Sequence, residues 1–396
     1  RDEAKANSSG ASPPLSNPFD GRSKAKSGTL QNAYILITTI LSIAYISTLI
    51  RFDAFCKDIC LHAESRNDQS ALSSVNKIAD NLNLHNVYQT VSCSSLLEGT
   101  KDREFDPNKN LEKPLLRFTV IEPPFYISLH NQNFDRIRWR TIWENGDYYE
   151  HGISAVFHKV LADRTEPGLV IDVGMNIGWF SLFARAHGHH VAAFEPNVVN
   201  HYRMCESLVA NKWNEDGSVK IYPYGLGSSP SEVKMYLRSN PGANSLFQEN
   251  IPKFARKNYR IAQVETLDHI MEDQHWISPN AMPIYLLKVD VEGYEPFVFD
   301  GATKLIQSKK IESIILEKSN DDRDKVVSLL NLLYQNGYRV TAILSVTGEP
   351  YHSDSETVAS VNEFLGKLRQ MQKDGVYDKK IEWLLKVKCN LFYSRT

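Results

Sequence analysis

The hydrophobic pattern of the chain changes character near Leu115. Beyond that point, short apolar runs alternate with stretches whose apolar residues recur every three to four positions. LLRFTVIEPPFYISL (115–129) predicts a strand, a Pro-Pro turn and a second strand, and DYYEHGISAVFHKVLADR (147–164) predicts a helix. After Pro167-Gly168 comes LVIDVG as a first buried strand, then a helix over 179–186 that stops at Gly188. HVAAFEP is a second strand, followed by a helix through 202–211. VKIYPYGLG, YLLKVDVEG and IESIILEK are strands three to five, and a helix over 322–335 ends at Gly337. YRVTAIL and NLFYSR close the sheet as a pair. Continuous apolar strands alternating with amphipathic helices predict an α/β fold, a doubly wound parallel sheet covered on both faces.

The first hundred residues follow other rules. Residues 1–31 are rich in Ser, Gly and Pro and read as a disordered tail. No charge occurs between Lys26 and Arg51, and 32–50 (NAYILITTILSIAYISTLI) is 19 residues long. About 20 predominantly apolar residues span a bilayer as a helix. Its Thr and Ser hydroxyls can bond back to helix carbonyls, its Ile and Leu point all round, and no small-residue cleavage site follows. The segment is therefore expected to be a transmembrane helix acting as a signal-anchor. Arg22, Lys24 and Lys26 on one side, against Arg51 and Lys57 on the other, favour a cytoplasmic N-terminus. The rest is then expected in the lumen of the secretory pathway, of Golgi type. The chain's one N-glycosylation sequon, Asn7-Ser8-Ser9, lies on the other side of the helix. The first residue is Arg1, not Met, so the start of the gene product is expected upstream. Residues 51–114 read as a stem holding Cys56, Cys60 and Cys93. Cys56 and Cys60 would share one face of a helix. They could bridge two chains in an oxidising lumen, or serve as acylation sites or plain apolar residues.

Composition narrows the function classes. With 42% hydrophobic and 23% charged residues, the chain can bury a core. With 45 Lys+Arg against 47 Asp+Glu, it lacks the basic surplus of a general nucleic-acid binder. Five Cys exclude a dense disulfide scaffold.

In a doubly wound sheet, ligands bind at the carboxyl ends of the strands, and the chemistry-bearing residues of this chain fall there. Strand one ends in Asp172-Val173-Gly174-Met175-Asn176-Ile177-Gly178. Gly174 permits a tight turn and Gly178 close packing of the next helix. Relative to G-x-G-x-x-G, the central glycine is Asn176, which disfavours a pyrophosphate. Strand two ends in Phe194-Glu195-Pro196, with Glu195 23 positions after Asp172, near the spacing of a carboxylate that bridges ribose hydroxyls. Strand four ends in Lys288-Val289-Asp290-Val291-Glu292-Gly293-Tyr294-Glu295. Charges there are costly unless functional or paired, and a Lys288–Asp290 or Lys288–Glu292 pair is the structural alternative.

DVGMNIGWFSL, AFEP, ETLDHI and LLKVDVEGYEPFVFDGA, in that order, resemble the FkbM family of S-adenosylmethionine-dependent methyltransferases, over roughly 143–395. The resemblance implies a class I methyltransferase (Rossmann-like) sheet of order 3-2-1-4-5-7-6 within 115–396, with strand seven antiparallel. It implies O-methylation of a hydroxyl-bearing small molecule, sugar or glycan. Asp172, Gly174, Asn176, Gly178, Glu195 and Asp290 would contact the cofactor, and Asp290 or Glu292 would take the acceptor proton. Met175 departs from the usual Ala. The charged segment 357–388 is longer than the family leads one to expect and would serve an acceptor or partner. Asp290 and Glu317, with Asn320 close by, form an oxygen-donor set that could hold Mg²⁺. A catalytically inactive scaffold and a nicotinamide oxidoreductase are the alternatives, the latter disfavoured by the missing central glycine.

Overall fold

A computed structural model describes residues 88–98, 115–131, 142, 144, 147–238, 240–320, 322–344, 355–374 and 389–395. All of them fall within one unit, His85–Thr396. The expected tail, the transmembrane segment 32–50, and Cys56 and Cys60 lie outside the described residues. Among the described residues, no helix is long and apolar enough to cross a membrane.

In chain order the elements are α1 (Cys93–Glu98), β1 (Leu115–Phe118), β2 (Tyr126–Leu129), α2 (His151–Leu161), β3 (Leu169–Val173), α3 (Trp179–Ala186), β4 (His190–Phe194) and α4 (Val198–Asn211). Then follow β5 (Val219–Tyr222), β6 (Gly225–Leu226), β7 (Ser231–Tyr236), β8 (Tyr259–Glu265), α5 (Leu267–Asp273), β9 (Ile284–Val289), α6 (Glu295–Asp300) and α7 (Thr303–Gln307). The last are β10 (Ile311–Lys318), α8 (Arg323–Gln335), β11 (Tyr338–Leu344), α9 (Ser355–Asp374) and β12 (Cys389–Arg395).

The main sheet has seven strands in the order β11-β12-β10-β9-β3-β4-β5. Neighbours from β5 to β10 run parallel, while β12 is antiparallel to both β10 and β11. The two-residue side-chain period of a strand sends alternate residues to opposite faces. Leu169, Ile171 and Val173 of β3 join one apolar cluster, with Leu267, Val298, Leu330 and Leu365. Val170, Val191 and Ala193 join the other, with Phe157, Phe183 and Met204. Both faces are dry, which is why these strands read as unbroken apolar runs. The sequence marks several helix starts through side-chain caps: Asn197 accepts from the Val199 N–H, Thr266 from His269 and Asp322 from Lys325.

Several expectations need correction. The folded unit begins before Leu115: Cys93 is disulfide-bonded to Cys205 of α4, and the Val91 N–H donates to the Ile221 carbonyl at 2.8 Å. That part of the expected stem, with Cys93, belongs to the domain. The third strand is split, because Pro223 offers no N–H and the chain turns there. Gly225-Leu226 then pairs with β8 in a separate three-stranded sheet, β6-β8-β7. The pattern of β7 and β8 conceals this sheet, since most of their residues are solvent-exposed. Within 357–388, the described part is α9. Its Val361, Leu365 and Leu368 are buried in the main core.

Candidate active site

The parallel strands β3, β4, β9 and β10 end at one crevice, a cavity of about 260 Å³. Gly174, Asn176, Glu195, Asp290, Glu292 and Glu317 all line it, contributed by four different strand ends. Gly174 joins the two sides. It has φ 84°, and a Cβ there would lie 1.8 Å from the Asp290 carbonyl oxygen. Its N–H and that of Met175 both donate to the Phe194 carbonyl at 3.0 Å, and the Asp290 N–H donates to the Val173 carbonyl. Only glycine permits this approach of two backbones at positive φ.

On the β3–β4 side, Glu195 is fixed by backbone donors. Its Oε1 accepts from the Asn197 N–H at 2.8 Å and its Oε2 from the Asn176 N–H at 2.9 Å. Burial pushes its carboxyl up to about 7, against the pull of these bonds. Asn176 is held at φ 55°, and its buried Oδ1 has no partner. A buried acceptor without a partner costs free energy unless a ligand supplies a donor.

The β9–β10 side is built from charge. Lys288 is buried, with its Nζ 3.0 Å from Asp290 Oδ2, 3.8 Å from Asp172 Oδ1 and 5.1 Å from the Phe180 ring centroid. Burial opposes its charge, yet Asp290, Asp172 and Glu150 outweigh burial and hold the ammonium protonated. Glu317 is pushed well above the usual carboxylate range by burial and by neighbouring Asp290, to which it hydrogen-bonds. Glu292 sits at φ 53°, and its carbonyl accepts from Ser245 Oγ at 2.8 Å.

Two of the residues expected to touch the cofactor do not line the cavity. Asp172 is fully buried; its Oδ2 accepts from Ser181 Oγ at 2.6 Å and its Oδ1 lies 3.8 Å from Lys288 Nζ. Burial raises its carboxyl despite those partners. Gly178, at φ 92°, starts α3 with no room for a Cβ, which would lie 2.2 Å from Met204 Sδ. Of the residues expected to hold Mg²⁺, Asp290 and Glu317 share a hydrogen bond. Among the described residues no group of three His, Cys, Asp or Glu is placed to hold a metal. Lys288 pairs with Asp290, burial and the neighbouring Asp290 push the Glu317 carboxyl up, and Asn320 donates to the Gly293 carbonyl.

Sequence reasoning missed several lining residues. Glu150 enters from the N-terminus of α2 at φ 47°, and Tyr224, Asn240 and Asn244 come from the segments around the small sheet. None carries a local signal, since each reaches the crevice only through the tertiary fold. Glu295 lies just behind the site. Its Oε1 accepts from the Gly293 N–H and Ser319 Oγ, both at 2.8 Å, which clamps the turn carrying Asp290 and Glu292. Burial pushes Glu295 up to about 7.

The residues present fit S-adenosylmethionine. An oriented carboxylate, an orphaned buried amide oxygen and a glycine turn meet at one end of the cavity, and acidic groups suited to a sulfonium line the other. Residues 172–340 match the methyltransferase FkbM domain. The chain is 28% identical over 190 residues to the hexuronic acid methyltransferase AglP of Haloferax volcanii, covering 48% of this chain and 72% of that protein. Among solved structures, it is similar to the methyltransferase FkbM of Methylobacillus flagellatus, at 16% identity and TM-score 0.26, over 38% of this chain and 32% of that one. It thus spans about a third of that protein. Another is the precorrin-6y C5,15-methyltransferase of Geobacter metallireducens, at 13% identity and TM-score 0.26, over 48% of this chain and 71% of that one. The ordered strand-end motifs all fall within residues 172–340, the part of the chain that is similar to the methyltransferase FkbM domain.

Proposed function

We propose that the chain transfers a methyl group to a hydroxyl of a sugar or glycan. The observation that carries this reading is the shared crevice, with Glu195 oriented by two backbone N–H groups on one side and Asp290 ion-paired to Lys288 on the other. The match to a hexuronic acid methyltransferase supports a sugar-type acceptor. When bound, S-adenosylmethionine supplies an electrophilic methyl group on a sulfonium.

Glu195 would accept hydrogen bonds from the ribose hydroxyls, while Gly174 and Asn176 would hold the methionine portion. Asp290, oriented by Lys288, would receive the acceptor's proton at its carboxylate, or Glu292 would at the same rim. A positioned base contributes about 10²–10⁴-fold to such a step. Isothermal titration with S-adenosylhomocysteine tests the cofactor half. Glu195→Ala should weaken binding by about 1.5–3 kcal/mol, the worth of charge-assisted hydrogen bonds. Equal affinity of wild type and variant would remove Glu195 from the site.

We further propose that 32–50 anchors the protein in a membrane, with the catalytic domain in the secretory-pathway lumen. The Cys93–Cys205 disulfide supports this placement, because disulfides persist in oxidising compartments. In sealed microsomes, protease added outside should spare the domain. Digestion without detergent would place it in the cytoplasm.

A further inference from the structure

The crevice is small for the reaction. Ligand pockets commonly run to about 300–1,000 Å³, yet this one, at about 260 Å³, must take both the cofactor and the reacting hydroxyl. The bulk of a sugar acceptor therefore lies outside it. A second cavity, of about 650 Å³, adjoins it, and Leu246 lines both. The turn after β9 is shared as well: Glu292 lines the crevice, and Tyr294, two residues on, lines the second cavity. Hydrogen bonds tie the two rims together. Ser245 Oγ donates to the Glu292 carbonyl at 2.8 Å and accepts from the Phe247 N–H at 2.9 Å, and the Tyr236 N–H donates to the Ser245 carbonyl at 2.9 Å.

Among the described residues, the floor of the second cavity is aromatic. Tyr294 and Phe297 stack with ring centroids 4.5 Å apart and 24° between their planes, and Phe247 lies 6.2 Å from Phe297. The two stacked rings are half-buried, and both line the cavity. The rim is polar. Glu232, Gln248 and Glu249 are exposed on one side, and Asp322 and Lys325 stand at the start of α8 on the other. A pyranose has the matching division, with C–H groups on its faces and hydroxyls around its edge. The faces suit aromatic rings, and the hydroxyls both donate to carboxylates and accept from amides or an ammonium. We propose that this cavity is an acceptor subsite, which holds the neighbouring sugar unit of an oligosaccharide whose methylated unit lies in the crevice. The proposal rests on the sugar-methyltransferase reading above and deepens it, since the acceptor is then an oligosaccharide and not a free monosaccharide. Binding energy from a unit that does not react is spent on orienting the one that does.

The test uses the full chain. It measures methyl transfer from S-adenosylmethionine to glucose-, galactose- and mannose-based mono-, di- and trisaccharides, with S-adenosylhomocysteine binding in parallel. In at least one series kcat/KM should rise about tenfold or more from the monosaccharide to the disaccharide, the return on binding a remote unit. Phe297→Ala should abolish that gain while leaving monosaccharide turnover and S-adenosylhomocysteine affinity unchanged. Glu249→Ala, at the exposed rim, is the second variant. It should keep the melting temperature and cut the gain about threefold, the scale of one hydrogen bond. Equal kcat/KM for mono- and disaccharides in all three series overturns the proposal. So does a gain that survives Phe297→Ala, or that survives Glu249→Ala where the first variant does not fold. In these cases the methyltransferase reading stands. If S-adenosylhomocysteine binds but no saccharide is methylated, the subsite falls together with the sugar acceptor. If S-adenosylhomocysteine does not bind, the methyltransferase reading falls with them.

Discussion

The two sides of the crevice solve the same problem, a buried polar site, with different materials. On the β3–β4 side a single carboxylate is held by two backbone N–H groups, and an adjacent amide oxygen is left without a partner. On the β9–β10 side, a buried ammonium is shared between Asp172 and Asp290, with Glu317 hydrogen-bonded to Asp290. Backbone donors cost no side-chain entropy to hold in place, so the first side is rigid and pre-organised. Buried ion networks are coupled, and removing one member strands the others. One side is therefore suited to binding, and the other to moving a proton.

The largest effect is expected where the sides meet. Gly174→Val puts a branched side chain at φ 84° and into the Asp290 carbonyl. Both strand ends must separate, so cofactor binding should be lost and the melting temperature should drop sharply. A folded variant that still binds S-adenosylhomocysteine would show that the two backbones need not touch.

Lys288→Met should act on stability through the charged side alone. It leaves Asp172 and Asp290 without their cation, and breaking a buried pair costs about 3–5 kcal/mol. Urea denaturation measures this. A loss under about 1 kcal/mol would place Lys288 among the weak surface pairs, contrary to its burial.

Asp290→Asn should separate chemistry from binding. Turnover should fall about 10²-fold or more if the carboxylate takes a proton, while S-adenosylhomocysteine affinity changes far less. A parallel fall in folded fraction, activity and affinity would make Asp290 a structural residue of the loop.

The smallest effect is a pH dependence on the backbone-held side. The folded-state carboxyl of Glu195 lies at about 7 against 4.5 when unperturbed, and Glu295 behaves alike. The folded state therefore holds protons that the unfolded state has released. Stability from these groups is greatest below the unfolded value and falls as pH rises through about 7. Cofactor affinity should run the other way, because an ionised Glu195 accepts the stronger hydrogen bonds. Affinity should be about tenfold lower at pH 6 than at pH 8. Glu195→Gln should flatten that slope, and a slope unchanged in the variant would assign it to another group.

Much of this site could be read from the sequence because each of its main carriers is local to a strand end. Gly174, Asn176, Glu195, Asp290 and Glu292 follow apolar runs directly, and a parallel sheet gathers strand ends at one edge. Asp172 and Gly178 stand in the same turn motif but do not line the cavity. Which of two neighbouring residues faces a ligand depends on strand pleat and helix contact, and the motif does not encode either. Lys288 takes up the charge of Asp290, a pairing that the oxygen donors Asp290, Glu317 and Asn320 do not reveal in sequence.

The sequence by itself determined the doubly wound class, the strand identities and the edge of the sheet where the chemistry lies. Two-residue and 3.6-residue periods are written in short windows of chain, and burial on both faces leaves them unambiguous. Only the tertiary structure decided the rest. It joined Cys93 to Cys205 across 112 positions, brought Glu150 from α2 and Asn244 from the small sheet's loop to the cavity wall, and set Lys288 between two aspartates. Those contacts link residues far apart in the chain. Their partners are chosen by strand register and helix packing, which emerge only when the whole core closes.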